Sequence, residues 1–319
     1  MDFEENEIDM LFSCQKFTPH DCFWLWALLG RLFFMVGELD SNEMTLFFQG
    51  IGGCGKTTII KTWQKFWPAH LRGIMSSNMQ EQFGMSSLEK AYICFCGEVS
   101  ANLKIVQEEW QDAVSGAEVS LARKNKEPTT FVWKAQMLWV GNYFPIKFEN
   151  RELQVSRRLS GVRMKHPIHP RDGSIMKRIE KKLGSFQRKA LLAYFECLRV
   201  HGSVDPMSNV EGMPPAFREF YEYGKTASNP MEAFLCSDQV QEEKDNYVLM
   251  EELKQRYQNF CSVNNLYGRG IKWSQDLYNT PFAERGYVVE HVAKDKKEMK
   301  QGIGEVSGKI VVRGLRFGD

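Results

Sequence analysis

Several kinds of feature are missing from this sequence, and each absence narrows what the chain can be. Its eight cysteines, at positions 14, 22, 54, 94, 96, 197, 236 and 261, form no Cys-x-x-Cys pair. That spacing points to reduced thiols of an intracellular protein rather than a disulfide framework. Cys14 and Cys22 flank His20, but no second pair completes a zinc tetrahedron. No apolar run can span a bilayer. The most apolar stretch, residues 23–37, is 15 residues long and contains Arg31, whereas a span needs about 20, so it reads as buried helix and no membrane partner is expected. Residues 1–9 are acidic, the wrong charge for a signal or transit peptide. Charge of one sign is also lacking: 41 Lys and Arg balance 40 Asp and Glu, so only local patches can point to nucleic acid. Neither an internal repeat nor a long low-complexity segment is evident.

What is present suffices for a full core. The chain has 319 residues, 43% of them hydrophobic, which suggests one large domain with an accessory part, or two domains. Residues 1–40 read as an N-terminal helical segment. Short continuous apolar runs at 44–48, 91–96 and 136–140 alternate with helical stretches at 57–66, 99–111 and 184–200. This alternation predicts an α/β fold with a central parallel sheet covered on both faces. The pattern predicts a core over residues 41–200, a Gly-, Pro-, Ser- and Asn-rich linker or lid over 201–244, and a C-terminal accessory region over 245–319.

The strongest motif is Gly50-Ile51-Gly52-Gly53-Cys54-Gly55-Lys56-Thr57, a full G-x-x-x-x-G-K-T match followed by Thr58. A buried strand precedes it and a helix follows, the context that a phosphate-binding loop requires. The glycines let backbone N–H groups turn inward towards phosphate oxygens, and the helix N-terminus adds partial positive charge. Lys56 is expected to reach the β- and γ-phosphates of ATP, and Thr57 to bind Mg²⁺. Two further polar residues end buried runs. Glu98, in Tyr92-Ile93-Cys94-Phe95-Cys96-Gly97-Glu98, is placed to polarise an attacking water and to help hold Mg²⁺. Asn142, after Leu138-Trp139-Val140-Gly141, is placed to orient that water or touch the γ-phosphate. The three positions follow one another at intervals of 42 and 44 residues. Position 97, where many hydrolytic P-loop proteins carry a second acid, is glycine.

Between Glu98 and Asn142 lies Arg123-Lys124-Asn125-Lys126, flanked by strand-like residues at 119–122 and 130–133. These segments predict a β-hairpin with a basic tip. Taken alone, such a charge run is a solvated loop as readily as a nucleic-acid contact. Residues 151–190 carry twelve Lys or Arg against three acids, including Lys177, Lys181 and Lys182.

These motifs together resemble the superfamily 3 helicases, an AAA+ group of DNA viruses, phages and plasmids. Within it they are similar to the C-terminal ATPase region of poxvirus- and giant-virus-type primase-helicases. The resemblance rests on GIGGCGKTT at 50–58, YICFCGE at 92–98, VSGAEVSLARKNKEP at 114–128, LWVGNYFP at 138–145 and SRRL at 156–159. It covers residues 20–200 well and the remainder loosely. It implies an ATP-driven DNA helicase with Gly50 to Thr58 binding ATP and Mg²⁺, Glu98 activating water and Asn142 sensing the γ-phosphate. Arg157 or Arg158 would be an arginine finger acting on a neighbouring subunit's ATP. Arg123, Lys124 and Lys126 would follow single-stranded or forked DNA. The resemblance also implies a homo-oligomeric, hexameric ring, a primase domain or partner, and a viral replication site in host cytoplasm or nucleus. It implies a winged-helix-like or small α/β C-terminal module. Two other classes stay open on the residues alone: a P-loop kinase or simple NTPase with a small acceptor, and a nucleotide-gated DNA-binding initiator or packaging module.

Overall fold

Strand β1, Thr45–Gly50, is buried at every position, because it lies in the interior of a five-stranded sheet with other strands on both sides. The computed structural model describes the chain outside residues 1–4, 76–84, 100–104, 124–125, 143, 146–153, 171, 203–206, 208, 229, 238, 264–272, 295–297, 302 and 319. It divides into two units: residues 1–148 with 154–224, and residues 149–153 with 225–319.

The first unit opens with α1 (Glu7–Cys14) and α2 (Pro19–Arg31), each started by a capping box, on Asn6 and Thr18. After β1 come α3 (Lys56–Gln64), β2 (Arg72–Met75), β3 (Ile93–Val99), α4 (Gln107–Ser115), the hairpin strands β4 (Glu118–Arg123) and β5 (Lys126–Val132), β6 (Gln136–Gly141), β7 (Leu159–Met164), α5 (Ile175–Lys181), α6 (Leu183–His201) and α7 (Pro215–Ser228). The sheet order is β2-β3-β6-β1-β7, all pairs parallel. Parallel strands need crossovers on the sheet faces, and those helices bury both sides. Adjacent residues of β1 show this. Phe48 stacks on Phe12 of α1, with ring centroids 6.3 Å apart, while Phe47 meets Phe220 of α7 edge-on at 5.7 Å. Trp26 of α2 contacts both Trp63 of α3 and Phe186 of α6.

A buried ionic cluster ties helices to the lower edge of this sheet. Arg31, at the end of α2, donates to both carboxylate oxygens of Asp40, to the Gln136 side chain of β6 and to the Asn42 carbonyl. The Tyr194 hydroxyl of α6 donates to Asp40 as well. The charges are removed from water but every strong donor of Arg31 has a partner, the condition under which such burial is tolerated.

The stretch read as a linker, residues 201–244, differs from that expectation. It carries α7, whose Phe217, Phe220 and Tyr221 are buried, then α8 (Pro230–Leu235) and the start of β8 (Val240–Leu249). Amphipathic spacing within α7 outweighs the turn-forming residues around it.

The second unit continues with α9 (Met250–Val263), α10 (Gln275–Arg285), β9 (Val288–His291), the short pair β10 (Met299–Lys300) and β11 (Gly304–Glu305), and β12 (Ile310–Phe317). Its sheet is antiparallel in the order β8-β12-β9. One face buries Val312 and Leu315 with Phe234, Leu253, Tyr257 and Phe282. The other carries a smaller cluster of Val292, Val306 and Val311. Among the described residues, no helix is long and apolar enough to cross a membrane.

Candidate nucleotide site

The loop Gly50–Thr57 leaves the C-terminal end of β1 and enters α3 through Gly55, whose φ is +101°. Gly53 also has positive φ, +79°, so the reversal uses backbone conformations that side chains disfavour. The loop is held from outside. Ile168 donates its amide to the Gly53 carbonyl at 3.0 Å. Gln15 donates to the carbonyls of His166 and Cys54 and accepts from the His166 amide. Lys56 is buried, and its ammonium donates to the carbonyls of Gly50 at 2.7 Å and Ile51 at 2.6 Å. Thr57 is exposed beside it.

A cavity of about 600 Å³ sits over this loop. Gly52 to Thr58 line one wall, and Gly97, Glu98, Gly141 and Asn142 another. Leu11, Ile168, Pro170, Asp172, Gly173 and Ile175 close the remaining side. The sheet order explains the gathering: β6 lies between β1 and β3, so the loop, Asn142 and Glu98 leave adjacent C-terminal strand ends.

Glu98 reaches the cavity through a β-bulge. Cys96 pairs with Trp139 and Val99 with Gly141, so β3 holds one residue more than β6 between these pairs. The extra residue exposes both Gly97 and Glu98 in an otherwise buried strand. Bulges re-aim side chains in this way beside active sites. The bulge also fixes Gly141: a Cβ there would lie 2.6 Å from the Val99 carbonyl oxygen. At Gly97, in contrast, a Cβ would meet nothing within 4 Å. The second acid is therefore absent from a position with room for it. Among the described residues, Asp172 is the second acid lining the cavity, besides Glu98. Hydrogen bonds from Ser174 and then Arg178 hold its carboxyl down at about 2. Burial pushes the Cys96 thiol up to about 12 and the Cys94 thiol up as well, which removes both as nucleophiles at neutral pH.

Asn142 carries a contact that sequence reasoning missed. Its main-chain carbonyl accepts a 2.7 Å hydrogen bond from the side-chain amide of Gln49. Gln49 in turn accepts from Arg163 Nε at 3.2 Å.

The two arginines of the SRRL segment differ. Arg158 is half-buried, with an ion pair to Glu43 at 3.0 Å, and burial followed by the Arg157 charge lowers its pKa. Arg157 is exposed. Both precede β7, whose Leu159 pairs with Thr45 at the start of β1. They lie at the sheet edge opposite the loop, one strand length away, about 20 Å at roughly 3.3 Å per residue. Neither is gathered into the cavity.

In the basic hairpin, Arg123 of β4 pairs with Lys126 of β5 in the backbone register. Lys124 and Asn125 lie outside the described residues. Leu11, Ile168, Pro170 and Asp172 were not anticipated as cavity lining, since no local pattern marks residues so far from the loop in sequence.

A family model described as a family of unknown function, DUF5906, matches residues 48–158, from the end of β1 to Arg158. No curated protein matches the chain in sequence. Among solved structures, the chain is similar to the apo C-terminal region of NrS-1, at 15% identity over 96% of this chain and 75% of that one, with a TM-score of 0.50. A second structure of that region gives 0.48 at 12% identity over 98% and 77%. JCV helicase bound to a small molecule gives 0.33 at 14% identity over 68% and 58%. The first likeness shows a shared fold and no more, and the two lower scores carry no argument. The class these observations define is a mixed α/β protein with a five-stranded parallel sheet and a glycine-rich phosphate-loop motif between β1 and α3.

Proposed function

We propose that this chain is the ATP-hydrolysing motor of a superfamily 3 type DNA helicase, serving viral or mobile-element replication as a homo-oligomeric, hexameric ring. One observation carries the reading: Lys56, Thr57, Glu98 and Asn142, from three separate strand ends, line one cavity over the glycine-rich loop. That cavity fits a nucleoside triphosphate. The loop amides, the N-terminus of α3 and Lys56 favour its phosphates. Leu11, Ile168, Pro170 and Ile175 offer apolar surface for a flat base, beside the Asp172 carboxylate. Mg²⁺ would be held by the Thr57 hydroxyl and Glu98 together with phosphate oxygens and water, a set with few protein ligands of the kind Mg²⁺ accepts. Its chemistry is neutralisation of charge on the transferring phosphoryl group.

The residues divide the work. Lys56 exchanges its two loop carbonyls for phosphate oxygens. Glu98 takes the proton of the attacking water. Asn142 orients that water against the γ-phosphate. Arg157 acts on the neighbouring subunit's nucleotide, a reading supported by its exposure and its distance from its own loop; Arg158, committed to Glu43, positions the turn. A head-to-tail contact of this kind closes into a ring when the rotation permits. Arg123, Lys124 and Lys126 follow the DNA backbone. The second unit, helix–strand–helix–helix–strand–hairpin–strand with order β8-β12-β9, has the connectivity of a winged helix, and we assign it that role.

A second reading, a nucleotide-gated DNA-binding module without turnover, draws on Gly97, which offers the metal no side chain. ATP hydrolysis measured with and without single-stranded DNA, on the wild type, Lys56→Ala and Lys124→Ala, separates the two. The expected result is turnover stimulated by DNA in the wild type, absent from Lys56→Ala, and no longer stimulated in Lys124→Ala. Tight nucleotide binding without turnover under any condition would overturn the motor in favour of the module.

A further inference from the structure

We infer that Gln49 is a positioning residue for hydrolysis, holding Asn142 at the γ-phosphate end of the cavity through its main chain; this rests on the hydrolytic reading above. Gln49 is 6% exposed in a strand whose neighbouring side chains are apolar. A buried amide is costly unless its groups are hydrogen-bonded, and here both ends are. The register places Gln49 beside Gly141 of β6 on one flank and Arg163 of β7 on the other. Gly141 has no side chain, so the Gln49 amide passes it and reaches the Asn142 carbonyl at 2.7 Å. β6 ends at Gly141, so this carbonyl lies beyond the last residue of its strand.

The orientation of the amide is fixed by chemistry. Arg163 can only donate. Its Nε, 3.2 Å from Gln49 Oε1, therefore forces the oxygen of Gln49 towards β7 and the NH₂ towards Asn142. Arg163 is itself held, with its guanidinium 4.0 Å over the Tyr223 ring and 3.4 Å from Glu219. Lys165 pairs with the other oxygen of Glu219 at 2.5 Å. The chain Glu219–Arg163–Gln49–Asn142 thus runs from α7 to the cavity.

Gln49 also immediately precedes Gly50, whose carbonyl takes the Lys56 ammonium. One side chain therefore links the strand that carries the phosphate loop to the residue that orients water. Phosphate binding belongs to the loop, so loss of Gln49 leaves ground-state affinity in place. Loss of orientation at the reacting centre lowers the rate of the chemical step by about 10- to 100-fold.

Two substitutions test this. Gln49→Met removes both hydrogen bonds at similar volume. Gln49→Glu keeps the partner of Arg163, now as an ion pair, but sets a carboxylate against the Asn142 carbonyl. The readouts are kcat and KM for ATP, with the unfolding midpoint. A positioning role predicts that both variants lose kcat by about 10- to 100-fold at nearly unchanged KM, with Gln49→Glu, which keeps Arg163 paired, unfolding no earlier than Gln49→Met. A merely structural role predicts that Gln49→Glu, which keeps the Arg163 link, turns over at the wild-type rate, and that result overturns the inference while the hydrolytic reading stands. A wild-type chain that binds ATP with Mg²⁺ and DNA yet never hydrolyses it overturns both.

Discussion

The ammonium of Lys56 lies 2.6 Å from the carbonyl oxygen of Ile51, inside the turn of its own loop. This cation is buried and donates to the carbonyls of Gly50 and Ile51. Lys56→Ala therefore removes two charge-assisted hydrogen bonds as well as the proposed phosphate contact. It is expected to lower stability by about 1–3 kcal/mol and to abolish turnover. Thermal unfolding with and without ATP and Mg²⁺ checks both parts: the wild type gains stability with nucleotide, by mass action, and the variant does not.

Gly97 lies in the bulge of β3 and Gly141 pairs with Val99 just past it, and the two respond oppositely to a side chain. Gly97→Asp enters open space and supplies the missing acid. It is expected to leave the unfolding midpoint unchanged and to lower the Mg²⁺ concentration for half-maximal hydrolysis several-fold. Gly141→Ala drives a methyl to within 2.6 Å of the Val99 carbonyl and is expected to cost about 1–3 kcal/mol, as overpacking does. An unchanged Mg²⁺ titration for Gly97→Asp would count against Glu98 and Thr57 as the metal-holding pair.

Arg157 and Arg158 differ in the same testable way. Arg158→Ala removes a half-buried ion pair and is expected to show chiefly as lost stability. Arg157→Ala is expected to fold normally and to lose at least tenfold in turnover, in line with the loss of an arginine finger. Mixing inactive Arg157→Ala with inactive Lys56→Ala subunits restores one intact interface type, so partial recovery of activity is expected. No recovery at any mixing ratio would sink action in trans.

Acid stability follows from Asp40. Burial alone would raise its pKa, but the hydrogen bonds and charge of Arg31, with the Tyr194 hydroxyl and the Asn42 amide, hold it below the usual carboxylate range. A folded pKa below the unfolded one contributes stability above about pH 4 that is lost as pH falls through the folded value. Urea unfolding between pH 7 and pH 3 is expected to show this fall, and Asp40→Asn to flatten it. Asp40→Ala leaves Arg31 buried without its carboxylate and is expected to cost about 3–5 kcal/mol.

How much of this was legible depended on whether the signal was local. β1, β3 and β6 read as continuous apolar runs because they are buried on both faces, and each announced a polar residue at its end. β7 did not, since Leu-Ser-Gly-Val-Arg-Met has no apolar run. Its Gly161 is explained by pairing alone: a Cβ there would strike the Phe47 carbonyl. β2 has four residues and two are not apolar. α7 was legible in principle, with Phe217, Phe220, Tyr221 and Gly224 at helical spacing, but the Gly, Pro and Ser around it dominated the reading. Lys56, Glu98 and Asn142 were found by motif. Gln49 and Arg163 were not, because their role comes from register between strands more than 90 residues apart in sequence.

The hairpin supplies the test of the DNA partner. Arg123 and Lys126 are paired in the backbone register at the end of β4 and β5, and Lys124 follows Arg123 in the chain. If these cations neutralise phosphates, each releases a counterion, and the slope of log affinity against log salt falls by about 0.7 for each one removed from single-stranded DNA. The triple alanine variant is therefore expected to bind single-stranded DNA more weakly at every sequence and to lose about 2 units of that slope. Its ATP hydrolysis without DNA should stay at the wild-type level, because the substitutions leave Lys56, Thr57, Glu98 and Asn142 of the cavity in place. Fluorescence anisotropy across 50–200 mM salt reads the slope. An unchanged slope would reduce the hairpin to a solvated loop and move the search for the DNA contact to the basic residues Lys177, Lys181 and Lys182.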